Sequence, residues 1–260
     1  MTSPVWDRAG SLPVPAGDRR RPEIVALRSE LPDVEELFTF MRDAELRFET
    51  LRMRVEERVW NTRGEEVTIH EVALRHPGEV KVLTSFPAEG TAANYEVWLT
   101  DGSTVQTYVA GRKLGTRRPA RQVVRGVADD GDLPGRSRFY VSITPLQMES
   151  LPEVLIHPGG YCQNVLATGR CAVTGTTIVA GREAIVLESD HPRAVELVAD
   201  RADFAVRIAV DRADGVILRL EESIGGRVTR DAVVTTYAPN ASLPPSAFAF
   251  TFPADTTFIY

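Results

Sequence analysis

FAVRIAVDRADGVILRLEESIGGRVTRDAVVTTYAPNASLPPSAFAFTF, residues Phe204 to Phe252, decides the fold of this chain. Phe204, Val206, Ile208 and Val210 fall on one side of an extended run, and Ala205, Arg207, Ala209 and Asp211 on the other. Val216, Leu218 and Leu220 then oppose Ile217, Arg219 and Glu221. Alternation of period two with charge on one side marks a strand with one buried and one wetter face. Arg212 to Gly215 supplies a first turn and Gly225-Gly226 a second, because glycine tolerates the positive φ that tight hairpins need. A third run follows, then a proline-rich loop and a short aromatic run expected to form a last strand. The stretch reads as an antiparallel meander.

The same period runs outward from it. Leu51, Met53, Val55 and Val59 alternate with Arg52, Arg54, Glu56 and Arg58 in a long strand. Asn61 to Gly64 turns it into a strand over 67–74. His76-Pro77-Gly78 leads to one over 80–86, and Tyr95, Val97 and Leu99 mark a fourth. Asp101-Gly102 turns it into a fifth over 104–109. Thr176 to Val179 and Ala184 to Glu188 form a further hairpin. Successive hairpins make a meander rather than βαβ units, which argues against a doubly wound parallel sheet. Ahead of all this, Val34, Leu37, Phe38, Met41 and Leu46 recur at helical spacing over 33–46, with Asp33 and Glu36 placed as a capping box. Residues 145–156 suggest a second helical region, which Pro152 is expected to split in two.

Size and charge bound the function. The chain has 260 residues, 43% of them hydrophobic and 25% charged, enough for a sizeable core. A net charge of −6 gives no electrostatic reason to expect nucleic acid as a partner. No run approaches the roughly 20 apolar residues of a membrane span. As written, the chain shows no signal peptide and no lipobox cysteine, so a cytoplasmic location is expected; export is the alternative, with an export segment outside this sequence. Residues 1–30, with Arg19, Arg20 and Arg21, read as a tail, and 31–260 as one domain. Residues 111–138 carry Arg112, Lys113, Arg117, Arg118, Arg121 and Arg125 and then Asp129, Asp130 and Asp132, and read as a solvated loop.

Chemistry is harder to find. His76, His157 and His191 each precede a proline, and His70 sits in a strand on the face of Thr68, Val72 and Leu74. There is no paired-histidine metal spacing and no nucleophile elbow. Glu65-Glu66 and Glu221-Glu222 are strand neighbours, so each pair points to opposite faces and makes no dyad. No enzyme, cofactor or metal is expected. Cys162 and Cys171 sit nine apart and could face each other across a hairpin, as reduced thiols or as a disulfide.

Three segments resemble the bacterial lipoprotein-carrier superfamily of LolA-like carriers, LppX-like lipoproteins and the N-terminal domain of RseB-like (MucB-type) regulators. They are Val179 to Ala184 with its Gly181-Arg182 step, the hairpin from Val210-Asp211 through Val216 to Glu221, and Leu243 to Phe248 with Phe252-Pro253. The resemblance implies an α+β fold, mainly antiparallel: a curved, incomplete β-barrel with helices covering its concave side. It further implies a non-catalytic carrier or sensor of an apolar small molecule or lipid. A module that binds a regulatory protein, such as a sigma or anti-sigma factor, is the alternative. Candidate lining residues for an apolar cavity are Phe38, Met41, Leu51, Met53, Val55, Val97, Leu99, Ile208 and Leu218.

Overall fold

The computed structural model describes residues 26–27, 29–87, 94–120, 144–192 and 201–259. The basic cluster at Arg19 to Arg21 and the charges from Arg121 to Asp132 lie outside these residues. Among the described residues twelve strands form one sheet. They are β1 (Thr50–Asn61), β2 (Gly64–Arg75), β3 (Glu79–Ser85), β4 (Tyr95–Asp101), β5 (Thr104–Val109), β6 (Leu114–Pro119), β7 (Arg170–Val179), β8 (Arg182–Asp190), β9 (Phe204–Asp211), β10 (Ile217–Ile224), β11 (Arg227–Pro239) and β12 (Thr257–Phe258). Their spatial order is β12-β6-β5-β4-β3-β2-β1-β11-β10-β9-β8-β7. Two meanders, β1–β6 and β7–β11, thus meet where β1 pairs with β11.

The sheet is open and strongly curled. β7 lies four strands from β11 in the ladder, which in a flat sheet would separate them by about 19 Å. Their Cα atoms nevertheless come within 8 Å. The concave side of this curl holds the core. Leu51, Met53 and Val55 of β1 face Leu74, Val72 and His70 of β2, and these face Val80, Val82 and Thr84 of β3. On the other side Ala232, Leu220 and Ile208 continue the same face. The opposite, convex face carries cross-strand ion pairs such as Arg54–Glu71 at 2.6 Å, Arg58–Glu65 at 2.8 Å and Arg219–Asp231 at 2.8 Å. Exposed pairs of this kind contribute ~0–1 kcal/mol each; their value is in keeping that face wet.

Among the described residues three short helices roof the concave side. They are α1 (Val34–Arg42), α2 (Leu151–Ile156) and α3 (Gly159–Asn164). Asp33 caps α1, its carboxylate accepting from the Glu36 amide at 2.8 Å. The predicted helix over 33–46 breaks at Asp43, and Ala44–Arg47 continues as a 3-10 turn. Leu37, Phe40, Met41 and Ala44 form the buried stripe, while Phe38 is only half-buried. Pro152 does not split the second helical region. It sits in the first turn of α2, where the missing N–H has no partner to lose.

Three further departures from the sequence reading have clear causes. Leu114–Pro119, expected as loop, is a strand that β12 covers only at Leu114 and Gly115, and Arg117, Arg118 and Pro119, beyond that pairing, are residue types that a sheet margin tolerates. The aromatic run 248–252 is not a strand. It crosses the convex face, where Phe250 and Phe252 pack on Tyr108 at ring distances of 5.5 and 6.0 Å. Gly115 permits this, since a Cβ there would lie 2.8 Å from Phe252 Cε1. Finally, Cys162 and Cys171 are free thiols, one of the two states the sequence allowed, but they do not face each other across a hairpin. Cys162 lies in α3, its Sγ 3.8 Å from Met41 Sδ, and Cys171 opens β7 with its Sγ donating to the Leu166 carbonyl at 3.0 Å. No hairpin joins them: α3 and a 3-10 turn intervene. Burial pushes the Cys162 thiol well above its ordinary range, so it is an inert core group.

Candidate functional site

The concave face is built by strand parity. Leu51, Met53, Val55 and Glu57 all point inward from β1. The first three are at most 1% exposed. Met41 from α1, Ile208 from β9 and Leu218 from β10 are buried in the same cluster, and Phe38 packs against it. Seven of the nine predicted lining residues therefore meet. The other two do not. Val97 pairs with Leu83, Leu83 with Glu71, and Glu71 with Arg54, so Val97 and Leu99 point to the convex side. There they form a separate cluster with Tyr108, Tyr95, Leu83, Phe250 and Phe252. The inward residues of β4 are instead Trp98 and Thr100, opposite Val82 and Val80.

Beyond Val55 the floor becomes polar. Arg230 Nε donates to Glu57 Oε1 at 2.7 Å and Arg230 Nη1 to Glu222 Oε1 at 3.2 Å. His70 Nε2 lies 3.3 Å from Glu57 Oε2, and His70 Nδ1 lies 3.1 Å from Thr84 Oγ1. A carboxylate only accepts, so Nε2 carries a proton, and in the neutral ring Nδ1 accepts from the Thr84 hydroxyl. Burial works to raise the Glu57 carboxyl, but the His70 hydrogen bond and the Arg230 charge outweigh it and hold the group below its ordinary value. Burial likewise opposes the Arg230 charge, and Glu57 and Glu222 overcome it. Sequence reasoning missed this group. Glu57 and Arg230 stand 173 residues apart, and only the β1–β11 register brings them together.

A second polar cluster ties the roof to the sheet. Arg182 donates to Asp211 through Nε at 2.5 Å and Nη2 at 2.9 Å, and Nη2 also reaches Asp214 at 3.0 Å. Asp211 Oδ1 accepts from the amides of Ala213 and Asp214, which closes the turn. Tyr237 donates its hydroxyl to Asp214 at 3.2 Å. From the roof, Arg47 donates to the Phe40 carbonyl at 2.8 Å and lies over the Phe40 ring. Phe40 in turn seats on Gly215, where a Cβ would come within 3.2 Å of the ring. The Gly181-Arg182 step and the Asp211 hairpin are separate motifs in the sequence; here they form one ion pair. Burial and the neighbouring Asp211 charge raise the Asp214 carboxyl.

Among the described residues no group of three or more His, Cys, Asp or Glu is placed to hold a metal ion, and no helix is long and apolar enough to cross a membrane. The fold and site define an open, curled antiparallel sheet with a helical roof over an apolar floor. No family model matches the chain, and no curated protein matches it in sequence. Solved structures are similar to it. One is MucB, at 14% identity over 84% of this chain and 62% of that one, with a TM-score of 0.49. Another is a conserved protein from Thermus thermophilus, at 11% identity, 86% and 98% coverage and a TM-score of 0.47. A third is the Mycobacterium tuberculosis lipoprotein LppX, at 9% identity, 81% and 98% coverage and a TM-score of 0.43. This chain spans 62% of the MucB chain. Likeness at this level says nothing of ligand or partner.

Proposed function

We propose that this chain is a non-catalytic carrier or sensor of an apolar ligand, an acyl chain or small lipid held between the concave face and the helices. The observation that supports it is the roof. A continuous apolar floor is covered by helices of only 9, 6 and 6 residues, not by a second sheet. Such helices are too short to be stable alone and hold the floor through side chains. They can lift without breaking a strand ladder. α1 and α3 pack on each other through Met41 and Cys162, and both side chains are buried in the same cluster as the floor, so a ligand must displace the roof. Burying a chain of about 16 carbons offers roughly 12 kcal/mol towards that, before ordering costs. Met41 and Met53 suit the task, since unbranched thioethers repack readily.

The test is native mass spectrometry of protein purified without detergent, with titration of a fluorescent fatty-acyl probe. A bound lipid mass, or saturable binding competed by unlabelled lipid, supports the reading. Neither one, up to the solubility limit of the probe, overturns it.

A second reading, a module that binds a regulatory protein such as a sigma or anti-sigma factor, is favoured by β7. This edge strand has no charged residue from Cys171 to Val179, and Ile178 is 67% exposed. An unpaired edge of this kind can accept an added strand. A photo-crosslinker at Ile178 that captures no single protein in cells would count against it.

A further inference from the structure

We propose that the aromatic ledge on the convex face, where residues 249–259 cross the strands from β3 to β6, docks the chain on an anionic lipid bilayer. The inference goes beyond the carrier reading and does not depend on it.

The apolar part comes first. Elsewhere the convex face carries cross-strand ion pairs; here it holds a second hydrophobic cluster, separate from the core. Tyr95, Tyr108, Phe250, Phe252 and Phe258 form an unbroken line of rings, with successive centroid distances of 5.9, 5.5, 5.1 and 4.9 Å. The line starts within the cluster, where Tyr108 is 3% exposed, and ends in water, where Phe258 is 43% and the adjacent Ile259 52% exposed. Aromatic side chains emerging at a surface are the groups that settle at the head-group level of a bilayer.

Charge names the partner. Lys81 stands opposite Leu99 in the cluster and donates to the Ala249 carbonyl at 2.8 Å. Lys113 pairs with Asp255 at 2.6 Å, both groups more than half exposed, and Arg112 precedes it in the β5–β6 turn. Arg117 is two residues along β6 from Gly115, the residue Phe252 covers, so it shares the ledge's face and reaches only Gln106, at 3.5 Å. Four cations thus border the rings against one carboxylate, Asp255, in a chain whose net charge is −6. Neighbouring acids do not change this balance among the described residues. Glu96 lies on the concave side, in the row of Thr84 and His70. Glu79 and Asp101 sit at the far end of the strands, Glu79 paired with Arg75 and Asp101 bonded within its own turn.

Lipid fits this combination better than protein does. Lysine is depleted from the centres of protein interfaces, whereas long cationic side chains beside apolar ones suit a bilayer, the stems lying on the apolar surface and the charges reaching head groups. Diffuse anionic head groups attract such cations without demanding fixed geometry.

The experiment is co-sedimentation of the full chain with vesicles of phosphatidylcholine alone or with about one third phosphatidylglycerol, at ~0.1 M and ~1 M salt. Each cation near an anionic surface is worth about fivefold in partition, so the phosphatidylglycerol vesicles should bind at least about tenfold more strongly, and ~1 M salt should remove the difference. Arg112→Glu with Arg117→Glu, both exposed positions, should abolish the preference. Phe258→Ser should weaken binding about threefold or more and keep the salt dependence. Equal binding to both vesicles, binding to neither, or a preference that survives the double arginine variant overturns the proposal. So does retention of the parent, and not the double variant, on a polyglutamate resin when vesicles bind neither, since the partner is then an acidic protein. If the double variant does not fold, the parent's vesicle preference and Phe258→Ser decide. Titration of the fatty-acyl probe without vesicles reports on the carrier reading separately, so either idea can fail alone.

Discussion

Replacing Asp211 by alanine should be among the most damaging single changes in this protein. The side chain is 1% exposed, and its two oxygens serve four donors: Arg182 Nε and Nη2, and the amides of Ala213 and Asp214. Removing one partner of a buried ion pair costs about 3–5 kcal/mol, because the other charge stays behind. Here Arg182 keeps Asp214, which limits that loss, but the turn forfeits its closing acceptor at about 1 kcal/mol more. Asp211→Ala should therefore lose about 4–5 kcal/mol, a third or more of an ordinary domain's total. Asp211→Asn keeps an acceptor for the turn amides and loses the charge, so it should recover about 1 kcal/mol of this. Urea unfolding followed by far-UV circular dichroism measures it: at an m-value near ~3 kcal/mol/M the Asp211→Ala midpoint should fall by more than ~1 M. Arg54→Ala is the control, breaking an exposed pair with Glu71 for at most ~1 kcal/mol. If Asp211→Ala matches that control, the two sequence motifs are not joined by an energetically significant contact and the reasoning fails.

Two acidic groups should respond to pH with opposite signs. Glu57 is held below its ordinary value in the fold, so its contribution is present at neutral pH and lost as pH falls through the lowered folded value; the stability gap between the parent and Glu57→Gln should close in acid. Asp214 is held above its ordinary value, so its contribution is present in acid and lost as pH rises through the folded value; Asp214→Asn should gain on the parent between mildly acidic and neutral pH, read from unfolding midpoints across a pH series.

The strands were legible because period-two alternation is a direct imprint of a half-buried sheet. Glu221 and Glu222 illustrate it: one bonds Arg219 on the convex side, the other Arg230 on the concave side, as neighbours in a strand must. The same rule failed for Val97 and Leu99 because β4 is buried on both faces. Val97 and Leu99 are covered by Phe250 and Phe252, while Trp98 and Thr100 face the core. A strand with two dry faces has no alternation from which to choose the inner one. Strand β6 escaped for the converse reason, since its exposed arginines and proline resemble a loop. The polar cluster around Glu57 was invisible because its members come from β1, β2, β10 and β11, and only the long-range register between β1 and β11 assembles it.

That register also governs how the chain can be made. Val55 and Val234 are ladder partners, so the seam joins residues 234 − 55 = 179 positions apart. At ribosomal rates of roughly 5–20 residues per second, β1 waits roughly ten to forty seconds for β11 to emerge. During that time Leu51, Met53 and Val55 lie at the bare margin of a nascent half-sheet. Chains stopped before β11 keep that margin for life, and they are the species a chaperone or protease would have to handle.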